Sequence, residues 1–323
     1  MIKKIGQSIL KQNIIILLAL LIIIFSVAVG NLFLNPQNIH NLARQISFDI
    51  PLALALTVVF IAGGIDISIG AVLSMSAAIT MKMQPSGTYL AVLVALAFGC
   101  MIGALNGLLV TKGKIVPFIT TLGTMTLVRG MMLTYTLQKP ISGTDEAFQF
   151  WGAGSVGAVP TPIIVVLIIA LILNLVLKYT RFGRNLYAVG GNAEAAFLSG
   201  IRVMRFKFFA FVISGFLASI SGVLLASRLN SSTPHIGLDS ANWAIAAAIM
   251  GGASMLGGKG SVFGSVLGVI TLGILVNGMN LVGVHTYFQV GIRALILLTV
   301  VIIDAISSLN LRKRLEKQAY GER

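Results

Sequence analysis

Long apolar runs, broken by glycine-rich or basic turns, set the pattern of this chain. Runs at 13–34, 89–110, 116–137, 162–178, 206–227, 241–256, 261–280 and 286–307 each read as one helix. The run at 44–82 is too long for a single element. About 39 helical residues at roughly 1.5 Å each would measure about 58 Å, nearly two hydrocarbon cores of roughly 30 Å. Its interruption, Ala62-Gly63-Gly64-Ile65-Asp66-Ile67-Ser68-Ile69-Gly70, therefore reads as a tight turn or a helix break, with Asp66 capping the helix that follows. The pattern predicts an all-α polytopic membrane protein of about ten spans in one transmembrane domain, 1–323. The runs are continuous rather than alternating, which argues against a β-barrel.

The polar positions between the runs test this count. Lys3, Lys4, Lys11, Lys112, Lys114, Lys178, Arg181, Arg184, Arg202, Arg205, Lys207, Lys259, Arg312, Lys313, Arg314, Lys317 and Arg323 fall on one side. They are 17 of the 23 Lys and Arg. Arg44, Lys82, Lys139 and Arg228 fall on the other, and Arg129 and Arg293 lie within spans. Basic loops stay in the cytoplasm. Both termini, the segment 1–12 and the basic tail 308–323, are expected there. The first run continues apolar through Phe33-Leu34, which suits a retained anchor better than a cleaved signal peptide.

Composition agrees with a membrane setting. The chain is 57% hydrophobic and 10% charged, against about 25% charged in a typical soluble domain. The net charge of +14 follows from the loop asymmetry and does not imply a nucleic-acid partner. Cys100 is the one cysteine, so no disulfide within the chain and no multi-thiolate metal site can form. His40, His235 and His285 sit in different loops without metal-ligand spacing, and no metal site is expected.

No catalytic constellation is present. Gly257-Gly258-Lys259-Gly260 is a near-miss to a phosphate-binding loop. Ala253 stands where the first Gly is needed, and Gly260 where Ser or Thr would bind magnesium. The chain is not expected to hydrolyse ATP. The segment from Gly251-Gly252-Ala253 to Gly260 and the break at 62–70 look alike, each a Gly-rich turn between two spans. An internal duplication and two independent close turns are both consistent with that.

Ionisable groups inside spans are few, and such residues are functional suspects by default. Arg129 and Arg293 lie about two turns from the outer ends of their spans and can snorkel outward. Asp304 reads as a cap near the cytoplasmic end. Asp66 reads as a helix cap or as a pathway or hinge residue. Neutral polar residues are more frequent: Asn106, Thr120, Thr121, Thr124, Thr126, Asn277 and Asn280. They suit a route for a neutral polyhydroxy solute better than one for an ion. The other reading of each is an interhelical hydrogen bond, worth roughly 0.6–2 kcal/mol.

The longest polar interruption on the basic side is 180–206. Within it, Gly191-Asn192-Ala193-Glu194-Ala195-Ala196-Phe197-Leu198-Ser199-Gly200-Ile201 has the marks of a short capped helix. Asn192 can cap it, Glu194 suits the positive first turn, and Ser199-Gly200 ends it with a left-handed glycine. Phe197, Leu198 and Ile201 give it one apolar edge. Such a helix suits docking into a groove on a soluble partner, and an ordinary interhelical loop is the alternative.

Over roughly 15–307 the chain resembles the membrane permease subunit of bacterial ABC importers for monosaccharides, of the ribose type. The resemblance rests on the stretch 62–70, on Pro117-Phe118-Ile119-Thr120-Thr121-Leu122-Gly123 and Arg129-Gly130, on Thr180-Arg181-Phe182-Gly183-Arg184, on Ala188-Val189-Gly190-Gly191-Asn192 with Ser199-Gly200-Ile201, and on Gly257-Gly258-Lys259-Gly260. It implies a homodimer in the inner membrane with the path between subunits. It also implies a separate cytoplasmic ATP-binding subunit, which uses ATP and Mg, and a periplasmic sugar-binding protein. Residues 191–201 then resemble the family's coupling helix. One departure stands out: Ala241-Asn242-Trp243 replaces the Glu-Leu-Asp usual in the family. This leaves another small polyol or a furanose-like signal open as substrate. A stand-alone secondary carrier is the reading from a different class, and the scarcity of intramembrane acids speaks against it.

Overall fold

The computed structural model describes residues 2–302, with side chains from residue 14 onward. The expectations for Asp304 and the tail 308–323, and for the side chains of 1–12, lie outside the described residues.

Thirteen α-helices follow in order among the described residues: α1 (Ile2–Val29), α2 (Pro36–Ile61), α3 (Ile69–Met83), α4 (Thr88–Thr111), α5 (Pro117–Thr136), α6 (Gln149–Ala153), α7 (Thr161–Tyr179), α8 (Arg181–Gly191), α9 (Ala193–Leu198), α10 (Val203–Leu229), α11 (Ser240–Met250), α12 (Val262–Val282) and α13 (Thr286–Ile302). Six are long and apolar enough to cross a membrane: α1 from Ile14, α2, α4, α7, α10 and α12. The other expected spans differ for physical reasons. At about 1.5 Å per residue, the 15 residues of α3 and the 11 of α11 reach roughly 22 and 16 Å, short of a hydrocarbon core of about 30 Å. The α5 helix is rich in threonine and carries Arg129.

The core forms around α2. From Ile50 to Ile61 every residue of α2 is buried, and a helix that is apolar on all sides belongs inside a bundle. The α10, α12, α11 and α7 helices surround it. The closest packing is between α4 and α10. Gly99, Gly103 and Gly107 recur every four residues along α4 and face Gly215, Phe211 and Phe208 of α10. A Cβ on Gly103 would stand 2.3 Å from the Phe211 carbonyl oxygen. Small residues at this spacing let two backbones touch inside a membrane. Around the bundle, large apolar side chains such as Ile16, Val27, Leu93, Leu171 and Ile172 are exposed, as a lipid-facing surface requires.

At the end away from the basic loops, two-residue strands pin the loop 138–160. Strand β1 (Ile141–Ser142) pairs antiparallel with β4 (Ser231–Ser232), and β2 (Ser155–Val156) with β3 (Val159–Pro160). Ser227 of α10 donates to the Phe148 carbonyl at 2.6 Å.

Candidate functional site

At the basic end, α8 and α9 form a bent arm between α7 and α10. Thr180 starts α8, its hydroxyl accepting from the Gly183 amide at 3.3 Å. Gly183, Leu186 and Val189 turn inward and are buried. The chain turns at Asn192, whose Oδ1 accepts from the Ala195 amide at 3.0 Å and caps α9. Glu194 lies in the exposed first turn. Gly200 closes the helix with φ +79°, and the Ile201 amide returns to the Ala196 carbonyl at 3.0 Å. Only Ala196 of α9 is buried. Phe197 and Leu198 project outward, 69% and 79% exposed.

Beneath this arm three glycine turns meet. A Cβ on Gly190 would stand 1.7 Å from the Ile61 carbonyl oxygen and 2.7 Å from the Gly258 amide nitrogen. One on Gly257 would stand 2.4 Å from the Gly190 carbonyl oxygen and 2.9 Å from the Gly63 Cα. The Gly258 amide donates to the Ile61 carbonyl at 3.1 Å. Tyr187 of α8 donates its hydroxyl to the Gly260 carbonyl at 2.8 Å, and burial raises the phenol's pKa above its ordinary value, so the donor keeps its proton at neutral pH. Thr57 of α2 and Ser265 of α12 share a hydrogen bond of 2.6 Å nearby. The end of the arm is thus seated directly on both helix breaks.

The α2–α3 break is organised by Asp66, which is fully buried. Its Oδ1 accepts from the Ser68 amide at 3.0 Å and the Ser68 hydroxyl at 2.6 Å, and its Oδ2 from the Ser214 hydroxyl of α10 at 2.8 Å. This is an Asx turn tied to a neighbouring helix. The expected cap of α3 is not made: its N-cap is Ser68, without a side-chain cap bond. Asn106 of α4 donates to the Ser68 hydroxyl at 2.9 Å. Asn106 lies five residues before the end of α4 at Thr111, so the break is recessed by roughly 7 Å along that helix. Thr121 of α5 receives the Ile67 amide at 3.3 Å and donates to the Pro117 carbonyl at 2.9 Å.

The structure therefore brings Asp66, Asn106 and Thr121 together around residues 65–68. It does not add Asn277 or Asn280 to that group. Asn277 makes a reciprocal pair with Asn38 at 2.7 and 3.0 Å, and Asn280 accepts from Gln289 at 2.8 Å. Two buried polar atoms in this set, Thr120 Oγ1 and Asn106 Oδ1, have no hydrogen-bond partner among the described residues. The open side of α5 forms a groove of about 980 Å³ with Met75 of α3, lined by Leu122, Gly123, Thr126, Gly130 and Thr134. A Cβ on Gly123 or Gly130 would meet nothing within 4 Å.

Residues 38–301 match the family described as branched-chain amino acid transport system / permease component. This chain belongs to that permease family. The ribose import permease protein RbsC of Bacillus subtilis is 41% identical over 292 residues, covering 89% of this chain and 91% of the relative. RbsC of Haemophilus influenzae is 38% identical, covering 93% and 95%. The D-allose transport system permease protein AlsC of Escherichia coli is 36% identical, covering 92% of each. No solved structure matches the chain.

In this permease, two features escape a reading of the sequence. The first is the glycine junction. Its only signal is a Gly-Gly pair at each of three distant places, Gly63-Gly64, Gly190-Gly191 and Gly257-Gly258. The second is a cluster of ionisable side chains at the opposite end. Asp49 lies on α2 within electrostatic reach of Arg293 and Arg228. Arg293 lies over the Trp243 ring at 5.3 Å and Arg228 over Phe48 at 5.3 Å. Arg293 does not simply reach outward, because its Nε is buried and it stacks on the indole. An acid inside an apolar run was the available signal for Asp49. Among the described residues, no group of three or more His, Cys, Asp or Glu is placed to hold a metal.

Proposed function

We propose that this chain is the membrane-spanning permease subunit of an ABC importer and carries ribose or a similar monosaccharide across the inner membrane. The observation that carries this reading is α9: a capped helix presenting Phe197 and Leu198 to solvent, joined at Asn192 to α8, whose Gly190 packs against Ile61 and Gly258 at the two helix breaks. The names of the relatives, ribose and allose import permeases, supply the substrate class. A separate ATP-binding subunit using ATP and Mg binds residues 191–201. A binding protein delivers the sugar at the opposite end.

The ten-pass arrangement counts α3, α5, α11 and α13 with the six long helices and places both termini in the cytoplasm, as the basic loops favour. Two copies pair across the open side of α5, whose groove becomes the path between them. Displacement of α9 by the ATPase moves α8. The backbone contacts at Gly190 and the Tyr187–Gly260 bond pass that movement to α2–α3 and α11–α12 together. Differential contact of α9 with the two ATPase states drives the switch. Uptake of radiolabelled ribose into proteoliposomes holding the permease, its co-purified ATPase and its binding protein tests this. Uptake that needs neither ATP nor the ATPase would overturn it.

A further inference from the structure

A second cavity of about 600 Å³ lies behind α9, between the end of α7 and the starts of α8 and α10. Its rim carries Arg181, Arg202 and Arg205, and its wall carries Val176, Phe209 and Ile213. None of the three guanidinium groups has an ion pair or hydrogen bond among the described residues, and Arg205 makes only a ring contact with Phe209, at 5.9 Å. The α10 helix begins here at Val203, and its N-cap, Arg202, makes no side-chain cap bond, so the positive end of a 27-residue helix adds to their field. Three exposed, unpaired cations and an uncapped helix start thus concentrate positive potential around one hollow. Its apolar wall runs on into lipid-facing surface: Leu171, Ile172 and Leu175 on α7 and Phe209 and Phe216 on α10 are all exposed. At the same level Lys178 lies over the exposed Tyr179 ring at 5.1 Å, and such aromatic and basic anchors mark the headgroup layer.

We propose that this cavity binds an anionic phospholipid. Arg181, Arg202 and Arg205 hold its phosphodiester, and its acyl chains lie along Val176, Phe209 and Ile213. A soluble anion would use the cations but leave the apolar wall wet. A neutral lipid would use the wall but leave the cations unmatched. Only a ligand with both parts fits both surfaces, and basic pockets between helices at the membrane surface recognise such headgroups. Gly200 and Ile201 also line the cavity, so the bound headgroup braces the C-terminal end of α9 from behind.

The test is native mass spectrometry of the full-length chain in detergent, titrated with phosphatidylglycerol, phosphatidylcholine or glycerol 3-phosphate. Phosphatidylglycerol should be retained at one strong site, with phosphatidylcholine at least about tenfold weaker. At the contribution typical of each basic residue near a lipid surface, R202Q/R205Q should weaken phosphatidylglycerol by roughly ten- to thirtyfold. R202K/R205K should keep most of the affinity, and K112Q/K114Q, which removes two exposed charges from another basic loop, should leave it nearly unchanged. Equal binding of both lipids, or equal loss in R202Q/R205Q and K112Q/K114Q, would overturn the site. Displacement of the lipid by equimolar glycerol 3-phosphate would show a soluble-anion site and overturn the lipid assignment.

Discussion

Tyr187 donates its hydroxyl to the Gly260 carbonyl at 2.8 Å and so ties α8 to the turn between α11 and α12. This is a specific side-chain bond in a junction made largely of backbone, that of Ile61, Gly63, Gly190, Gly257 and Gly258. Tyr187→Phe keeps the ring and removes the bond. The expected loss is about 1 kcal/mol of stability, seen as a small drop in the melting temperature of the purified permease. Transport should fall further than that drop accounts for, with ATP hydrolysis by the assembled complex continuing. Unchanged uptake in Tyr187→Phe would remove this bond from the coupling route.

Gly190 leaves no room for a side chain, because its Cβ would overlap the Ile61 carbonyl oxygen. Overpacking of this kind costs roughly 1–3 kcal/mol. Gly190→Ala should lower thermal stability by about that much and abolish uptake. Gly191, next to it, has nothing within 4 Å of an added Cβ, so Gly191→Ala should leave stability nearly unchanged. Equal effects at the two positions would contradict the junction as described.

Asp66 accepts from Ser68 and Ser214 together. Asp66→Ala leaves buried hydroxyls without their acceptor, at a cost of roughly 1–3 kcal/mol for each group stranded. Ser214→Ala removes one donor only and should cost about 1 kcal/mol. In a double-mutant cycle the two losses should be non-additive, since the residues share one bond. Melting curves of the four variants measure it, and full additivity would dissolve the network.

Asn38 and Asn277 bond each other through both amide groups. Interhelical hydrogen bonds in membranes are worth roughly 0.6–2 kcal/mol. Asn277→Leu should therefore destabilise modestly, with the sugar concentration for half-maximal uptake unchanged. A large shift in that concentration would instead put Asn277 on the path.

The spans were legible wherever a helix is long and apolar, because burial and lipid both demand the same continuous pattern. The cap at Asn192 and the left-handed Gly200 were legible because capping chemistry is local. Asp66 was visible as an anomaly, but its partner Ser214 lies 148 positions away, and only packing places it there. The short reach of α3 and α11 was hidden for a related reason, since hydropathy does not report where a chain turns back inside the bundle. The contact of Gly190 with Ile61 and Gly258 is backbone against backbone. Glycine marks where such contact is possible without saying which three turns will meet.

The central claim is that the exposed edge of α9 is held by a separate ATPase. The direct measurement is co-purification in mild detergent from native membranes, comparing the tagged wild-type chain with F197S/L198S. Both side chains are largely exposed, so the variant should fold normally, its stability changing by no more than about 0.5 kcal/mol. An ATP-binding chain should come down with the wild type and be lost from the variant, which should still elute as the same monodisperse species. A wild-type chain that comes down alone under conditions preserving other membrane complexes, or a variant that keeps its ATPase, would contradict the account.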